Sequence, residues 1–429
     1  MISFLPFMLT LGVWQQPDAL APPPKPQQAW TRRSEGENKV SLELASRRYT
    51  ADGKPDVWLI GVAHIAEQSF YDEVTALLDE MDIVLYESVR PTGSRPPSGS
   101  TEEERVQSTR KALAFVANVA KRCAENSNNM PATLLDVIIE AALLDGRLSG
   151  WVEDASVDAW GRPFSLQVEE STKTITILSF GSDGAIGGTG AASDLKESRI
   201  VKIKRGGLDS VEESKQKNNI QQELADAMEL EFQLEALSYE DPNWFCSDLT
   251  MDEVKTKLIE QGADTSLLEM ITGESFSAQI ATSMMKLIPM LDSLAGGGIR
   301  ETAKLLMIEL LSMPDSDQLL EGLEPELAHV IIVERNTELL NDLAATMGIA
   351  EDLSTIGVLY GAGHMPDLSR RLRSRFGYAP AEERWFKTMS VDPRASLIGE
   401  KDLKRMRIML QYQLYKARER LNGDEPNKE

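Results

Sequence analysis

The chain has 429 residues, 42% of them hydrophobic, and a formal net charge of −23. That length allows about three domains, and that apolar share supports ordinary globular cores. The excess of carboxylates excludes a nucleic-acid backbone as partner, because like charges repel. The two cysteines, Cys123 and Cys246, lie far apart and show no metal-type spacing. They are either inert core thiols or one disulfide.

Residues 2–14 form an apolar run of signal-peptide length, and Ala19-Leu20-Ala21 resembles a cleavage site, with no Lys or Arg before the run. A cleaved leader would put the chain outside the cytoplasm, in the periplasm or cell envelope. Residues 22–28 read as a Pro-rich linker. Residues 40–49 alternate, residues 51–55 supply a turn, and residues 56–60 resume as strand, which predicts a hairpin. Residues 58–65 read Trp-Leu-Ile-Gly-Val-Ala-His-Ile, so His64 stands just past a buried strand. Residues 69–81 have helical spacing, and the apolar run that follows ends in Glu87.

Residues 91–104 are rich in Pro, Gly and Ser and read as a linker. Helices are expected over 102–125 and, after a polar turn, up to residue 144. Short strands are expected over 165–169, 174–179 and 199–204, with a glycine-rich loop over 181–195 between the last two. Residues 208–325 read as mostly helical, including 211–237, 251–260 and 276–294. The apolar run Val330-Ile331-Ile332-Val333 predicts a strand over 326–334 that closes in Glu334, with Arg335 and Asn336 behind it. A helix over 336–347, a strand over 355–360, a helix over 366–376 and a basic terminal helix over 396–421 complete the chain. His329 reads as a surface or pairing residue.

Residues 358–365 read Val-Leu-Tyr-Gly-Ala-Gly-His-Met and repeat the pattern that ends in His64, so His64 and His364 occupy equivalent places. Open α/β sheets keep their ligand crevices at strand carboxyl ends. A Glu after four apolar residues is costly to bury without a partner. Two histidines and two glutamates that each close a core strand therefore predict a divalent-metal site on one sheet edge.

These residues resemble the TraB/Tiki-like family, which includes pheromone-shutdown, GumN-like and Tiki metalloprotease proteins. The pattern is Gly61 to His64, Glu87, Glu334-Arg335-Asn336, and Gly361 to His364, over about residues 38–92 and 208–392. The resemblance implies an α/β core of two pseudo-repeated halves, residues 38–92 and 326–392, around one sheet, with residues 208–325 as a helical region. It implies a metal-dependent hydrolase acting on peptides or proteins. His64, His364 and Glu87 would hold Mn, Zn or Co, and the second Glu, of Glu87 and Glu334, would act as base or orienting partner. Arg335 would neutralise Glu87 or hold a substrate carboxylate. Two alternatives stand beside it: a protein that captures peptide signals without cleaving them, and a docking protein for an envelope or secretion partner.

Residues 105–205 resemble the globular part of the type II secretion major pseudopilin. The resemblance rests on Asp158-x-Trp160-Gly161-x-Pro163-Phe164, a strand pair, and Ser179-x-Gly181-x-Asp183-Gly184-x-x-Gly187-Gly188-x-Gly190-x-x-x-Asp194-Leu195. It implies an α+β module inserted between the halves of the core, with Ca²⁺ held by Asp183, Asp194 and loop carbonyls. Residues 1–37 then form leader and linker, and residues 393–429 a terminal helix.

Overall fold

In a computed structural model, the protein is described over residues 29–203, 230–262, 298–313, 325–349, 353–399, 401–405 and 407–408. The leader, the helix expected over 276–294, residues 211–229 of the helix expected over 211–237 and residues 409–421 of the helix expected over 396–421 lie outside the described residues, and residues 231–232 of the expected helix form a short strand instead.

The chain enters through an antiparallel ladder of β1 (Thr31–Glu35), β2 (Val40–Thr50) and β3 (Asp56–Val62). The expected hairpin turn joins β2 to β3. Gly53 adopts a φ of 69° there, a region costly for any residue with a Cβ. The short β4 (Ile65–Ala66) and α1 (Gln68–Leu78) follow. Helix α1 buries Phe70, Tyr71, Val74, Leu77 and Leu78, one face at helical spacing. β5 (Ile83–Tyr86) then delivers Glu87.

A separate hydrophobic core forms next. Helix α2 (Glu102–Ser127) starts at a capping box of Thr101 and Glu104, and α3 (Leu134–Leu144) at one of Thr133 and Asp136. Helix α4 (Gly146–Ala155) was not expected, since its two glycines weaken the helical signal. The three helices pack Val116, Val119, Val137, Trp151 and Val152 into one core with Ile175 and Ile177 of a small antiparallel sheet. Its strands are β6 (Ser165–Glu169), β7 (Thr174–Ser179) and β8 (Leu195–Ile200). β8 begins at Leu195, opposite Ser179, rather than at the expected residue 199. Ladder register with β7 decides this start, and residues 201–203 of the expected strand fall beyond its end.

The chain then returns to the first sheet. β9 (Glu231–Phe232) pairs with β4, α5 (Gln233–Ala236) follows, and β10 (Trp244–Cys246) lies parallel to β5. Helices α6 (Met251–Glu260) and α7 (Ile299–Leu311) come next. Residues expected as a strand over 326–334 are helical instead: α8 (Pro325–Ala328) runs through a π-helical stretch (His329–Glu334) into α9 (Arg335–Ile349). The β-branched run suggested strand. The strand position beside β5 is filled by β10, and Leu327, Ala328, Val330 and Ile331 pack as a helix face on Leu249, Val254 and Leu258. β11 (Thr355–Gly361), α10 (Met365–Phe376) and β12 (Ala379–Val391) close the fold.

The large sheet runs β1-β2-β3-β11-β5-β10, with β12 paired to β2. β3, β11, β5 and β10 are mutually parallel neighbours. β3 and β11, which precede the two repeated motifs, lie side by side, with Val358 opposite Leu59 and Gly361 opposite Val62. One sheet face carries Trp58, Ile60 and Val62 against α1, and the other carries Val57, Leu59 and Val358 against Leu339 of α9 and Leu368 of α10. Burial on both faces explains the continuous apolar runs. The protein is therefore mixed α/β, with its largest sheet covered by helices on both sides.

Candidate functional site

Four adjacent parallel strands end at one edge, and each delivers a polar side chain. β3 is followed by His64, β11 by His364, β5 by Glu87 and β10 by Asp248. Helix α9 brings Arg335 and Asn336 over the same edge.

Arg335 lies at the centre. Its Nε donates to Asp248 Oδ1 at 2.9 Å, and its Nη2 donates to Asp248 Oδ2 and to Glu87 Oε1, both at 2.6 Å. Arg335 is 5% exposed and Asp248 0%. The backbone N–H of Gly361 donates to Glu87 Oε2 at 2.6 Å. A Cβ at position 361 would sit 3.1 Å from that oxygen, so a bare backbone suits the approach. Burial alone would push the Glu87 carboxyl up, but the Arg335 guanidinium beside it holds it well below the usual carboxylate range.

His364 Nδ1 meets Asn336 Oδ1 at 2.7 Å, and its Nε2 faces Glu87 Oε1 at 3.5 Å. Asn336 Nδ2 donates to Asp367 Oδ2 at 2.9 Å and to the His364 carbonyl at 3.3 Å. The Tyr360 ring stands edge-on to His364, with centroids 5.2 Å apart. Beyond β3, His64 Nδ1 meets Gln233 Oε1 at 2.9 Å, and the Gln233 backbone N–H donates to the His64 carbonyl at 2.9 Å. Burial pushes the His64 imidazole down, with the Glu87 charge opposing.

The expected set is thus gathered in part. His64, His364, Glu87 and Arg335 share the edge, whereas Glu334 turns away. Glu334 accepts from Lys257 Nζ at 2.6 Å and lies 3.3 Å from His329 Nε2. Along a helix, neighbours point about 100° apart, so Arg335 can face the sheet while Glu334 cannot. Arg335 neutralises Glu87, and its second carboxylate is Asp248. Both carboxylates occupy its fork, which leaves little of it for a substrate. Among the described residues, no three His, Cys, Asp or Glu are grouped so that they could hold a metal ion; at the strand ends His364 pairs with Glu87.

Asp248 and Gln233 escaped sequence reasoning because each follows a strand of two or three residues, too short to show alternation. Asn336 stood inside the quoted Glu-Arg-Asn motif without a role. Cys123 and Cys246 are free thiols, which rules out the disulfide, and burial pushes Cys246 up to about 12.

The glycine-rich loop forms a second cluster. Asp158 Oδ1 accepts from the backbone N–H of Trp160 and Arg162 at 3.0 and 2.9 Å, and Oδ2 from the Ser179 hydroxyl at 2.8 Å. Arg162 donates to the carbonyls of Gly181 and Ser182, both at 2.8 Å. Asp183 is exposed and accepts from Ala185 N at 3.0 Å. Asp194 Oδ2 accepts from Gly187 N at 3.0 Å, whereas Asp194 Oδ1 is buried without a hydrogen-bond partner. A buried carboxylate oxygen left unmatched is costly, and a Ca²⁺ ion with its preference for oxygen ligands fits that position.

Among the described residues, no helix is long and apolar enough to cross a membrane. No curated protein matches the chain. No solved structure matches it either. Residues 100–198, from the start of α2 into β8, match the family model for type II secretion system (T2SS) protein G.

Proposed function

We propose that the protein is a metal-dependent hydrolase of TraB/Tiki-like type that acts on peptides and works in association with a secretion or envelope partner. The observation that carries the catalytic reading is the His364 Nε2 to Glu87 Oε1 separation of 3.5 Å at an edge where four strand ends converge. Two ligands of one tetrahedral ion, each bound at about 2.0–2.2 Å, lie roughly 3.3–3.6 Å apart. His364 and Glu87 would hold a divalent ion there, with His64 from the neighbouring strand completing the set. When bound, such an ion polarises a carbonyl and lowers the pKa of a bound water. Arg335 and the Gly361 N–H keep Glu87 ionised and fixed, so that it offers a lone pair at neutral pH. In peptide hydrolysis by the full chain with Mn²⁺, Co²⁺ or Zn²⁺, His364→Ala and Glu87→Gln should lose activity while Glu334→Gln retains it. Equal activity in all four proteins would refute the reading.

The second reading concerns the partner and is carried by the T2SS protein G match over residues 100–198. β5 and β10 are neighbours in the sheet although residues 87–243 separate them. That return to the same edge supports residues 105–205 as an inserted module, since insertions suit sites with adjacent ends. Ca²⁺ at Asp194, with Asp183 nearby, would order its loop. Such a module would dock the enzyme to a secretion-system protein outside the cytoplasm. Pull-down of a T2SS component by the full chain, lost on Asp194→Ala, tests this; equal capture by both would refute the calcium-ordered module.

A further inference from the structure

We infer that two side-chain amides, Gln233 and Asn336, are positioning residues that hold His64 and His364 in the Nδ1–H tautomer, so that each ring keeps its Nε2 lone pair for a ligand. The inference rests on the metal-site reading for its purpose and on hydrogen-bond geometry for its content.

Asn336 Nδ2 donates to Asp367 Oδ2 at 2.9 Å and to the His364 carbonyl at 3.3 Å. Both partners are oxygens that only accept, so the amide must present its NH₂ to them and its oxygen to the ring. Asp367 is itself fixed by Arg371, at 2.8 Å, and by Arg370. The chain Arg371, Asp367, Asn336, His364 therefore has one direction. At its end Nδ1 donates to Asn336 Oδ1 at 2.7 Å, and Nε2 is the unprotonated nitrogen that faces Glu87. A lone pair facing a carboxylate is unfavourable unless a cation or a proton lies between them. His64 has the same arrangement from the other side of the edge. Gln233 donates through Nε2 to the Tyr239 hydroxyl at 3.1 Å and through its backbone N–H to the His64 carbonyl at 2.9 Å. Its Oε1 then accepts from His64 Nδ1 at 2.9 Å. Orienting partners of this kind fix both the tautomer and the plane of a ligating imidazole.

The test is the long-range ¹H–¹⁵N spectrum of the full chain with ¹⁵N-labelled histidine, at about pH 8, where an ordinary imidazole is neutral. The chain has three histidines, and the partly exposed His329 serves as reference. Both His64 and His364 should show the Nδ1–H pattern. Gln233→Leu should change the His64 pattern alone, and Asn336→Leu that of His364 alone. Gln233→Glu, which keeps the acceptor, should restore the wild-type pattern. Each Leu variant should also bind Co²⁺ about 10–100-fold more weakly. An Nε2–H pattern for either ring in the wild type, or unchanged patterns in the Leu variants, would overturn the inference. Should a Leu variant fail to fold, the wild-type spectrum still decides. Nδ1–H patterns in a wild type that binds no Co²⁺ would refute the metal site and leave the positioning role standing.

Discussion

Replacing Arg335 by Met isolates what its guanidinium does. Three hydrogen bonds of 2.9, 2.6 and 2.6 Å tie it to Asp248 and Glu87. Asp248 is 0% exposed and the Glu87 side chain 10%, so neither carboxylate can turn to water. Removing one partner of a buried ion pair typically costs about 3–5 kcal/mol, chiefly because the remaining charge is stranded. Arg335→Met strands two, so the upper end of that range applies at pH 7. The sign of the pH dependence adds a check. In the wild type the Glu87 pKa is depressed on folding, so its stabilisation is complete above about pH 4.3; it is lost as pH falls through the lower folded value. In Arg335→Met, burial dominates at Glu87 and its folded-state pKa rises, so stability should increase as pH falls from 7 towards 5. Urea unfolding at several pH values measures both. A loss below about 1 kcal/mol at pH 7, the range of an exposed pair, or parallel pH slopes in the two proteins, would refute the buried triad.

Millimolar Ca²⁺ should raise the melting temperature of the full chain by binding the folded loop only. Asp194→Ala should abolish that increment and Asp183→Ala reduce it; an unchanged wild-type melting curve counts against the calcium site. Cys246, pushed up to about 12, and Cys123, pushed up to about 11, should resist a thiol reagent at pH 8 in the native protein and react fully in denaturant. Rapid native labelling would contradict their burial.

Much of the edge was legible in the sequence because it follows long buried strands. The repeated Gly-x-x-His motifs behind β3 and β11 marked His64 and His364 as equivalent strand-end residues, and the register pairs the two strands directly. Glu87 was legible for the same reason, as a charge closing an apolar run. Asp248 was not, since β10 spans only Trp244–Cys246 and takes its place from pairing with β5. Residues 330–333 misled for a physical reason: β-branched residues favour strands where a sheet position is open, and here that position is filled. Their tertiary partners, Leu249, Val254 and Leu258, lie on a segment with no sequence proximity. Helical geometry then separates Glu334 from Arg335, so a motif contiguous in sequence divides into one site residue and one ion pair with Lys257. In the second core the alternation of β6 and β7 was a strong local signal, and both strands form over the expected residues.

The most direct test of the metal site is the elemental content of the full chain, purified without added metal, loaded with an equimolar mixture of Mn²⁺, Co²⁺ and Zn²⁺ and dialysed. The account predicts about one transition-metal ion per chain, retained in Glu334→Gln and lost in His64→Ala, His364→Ala and Glu87→Gln. A wild type that holds no ion, or a His364→Ala protein that holds as much as the wild type, would contradict it.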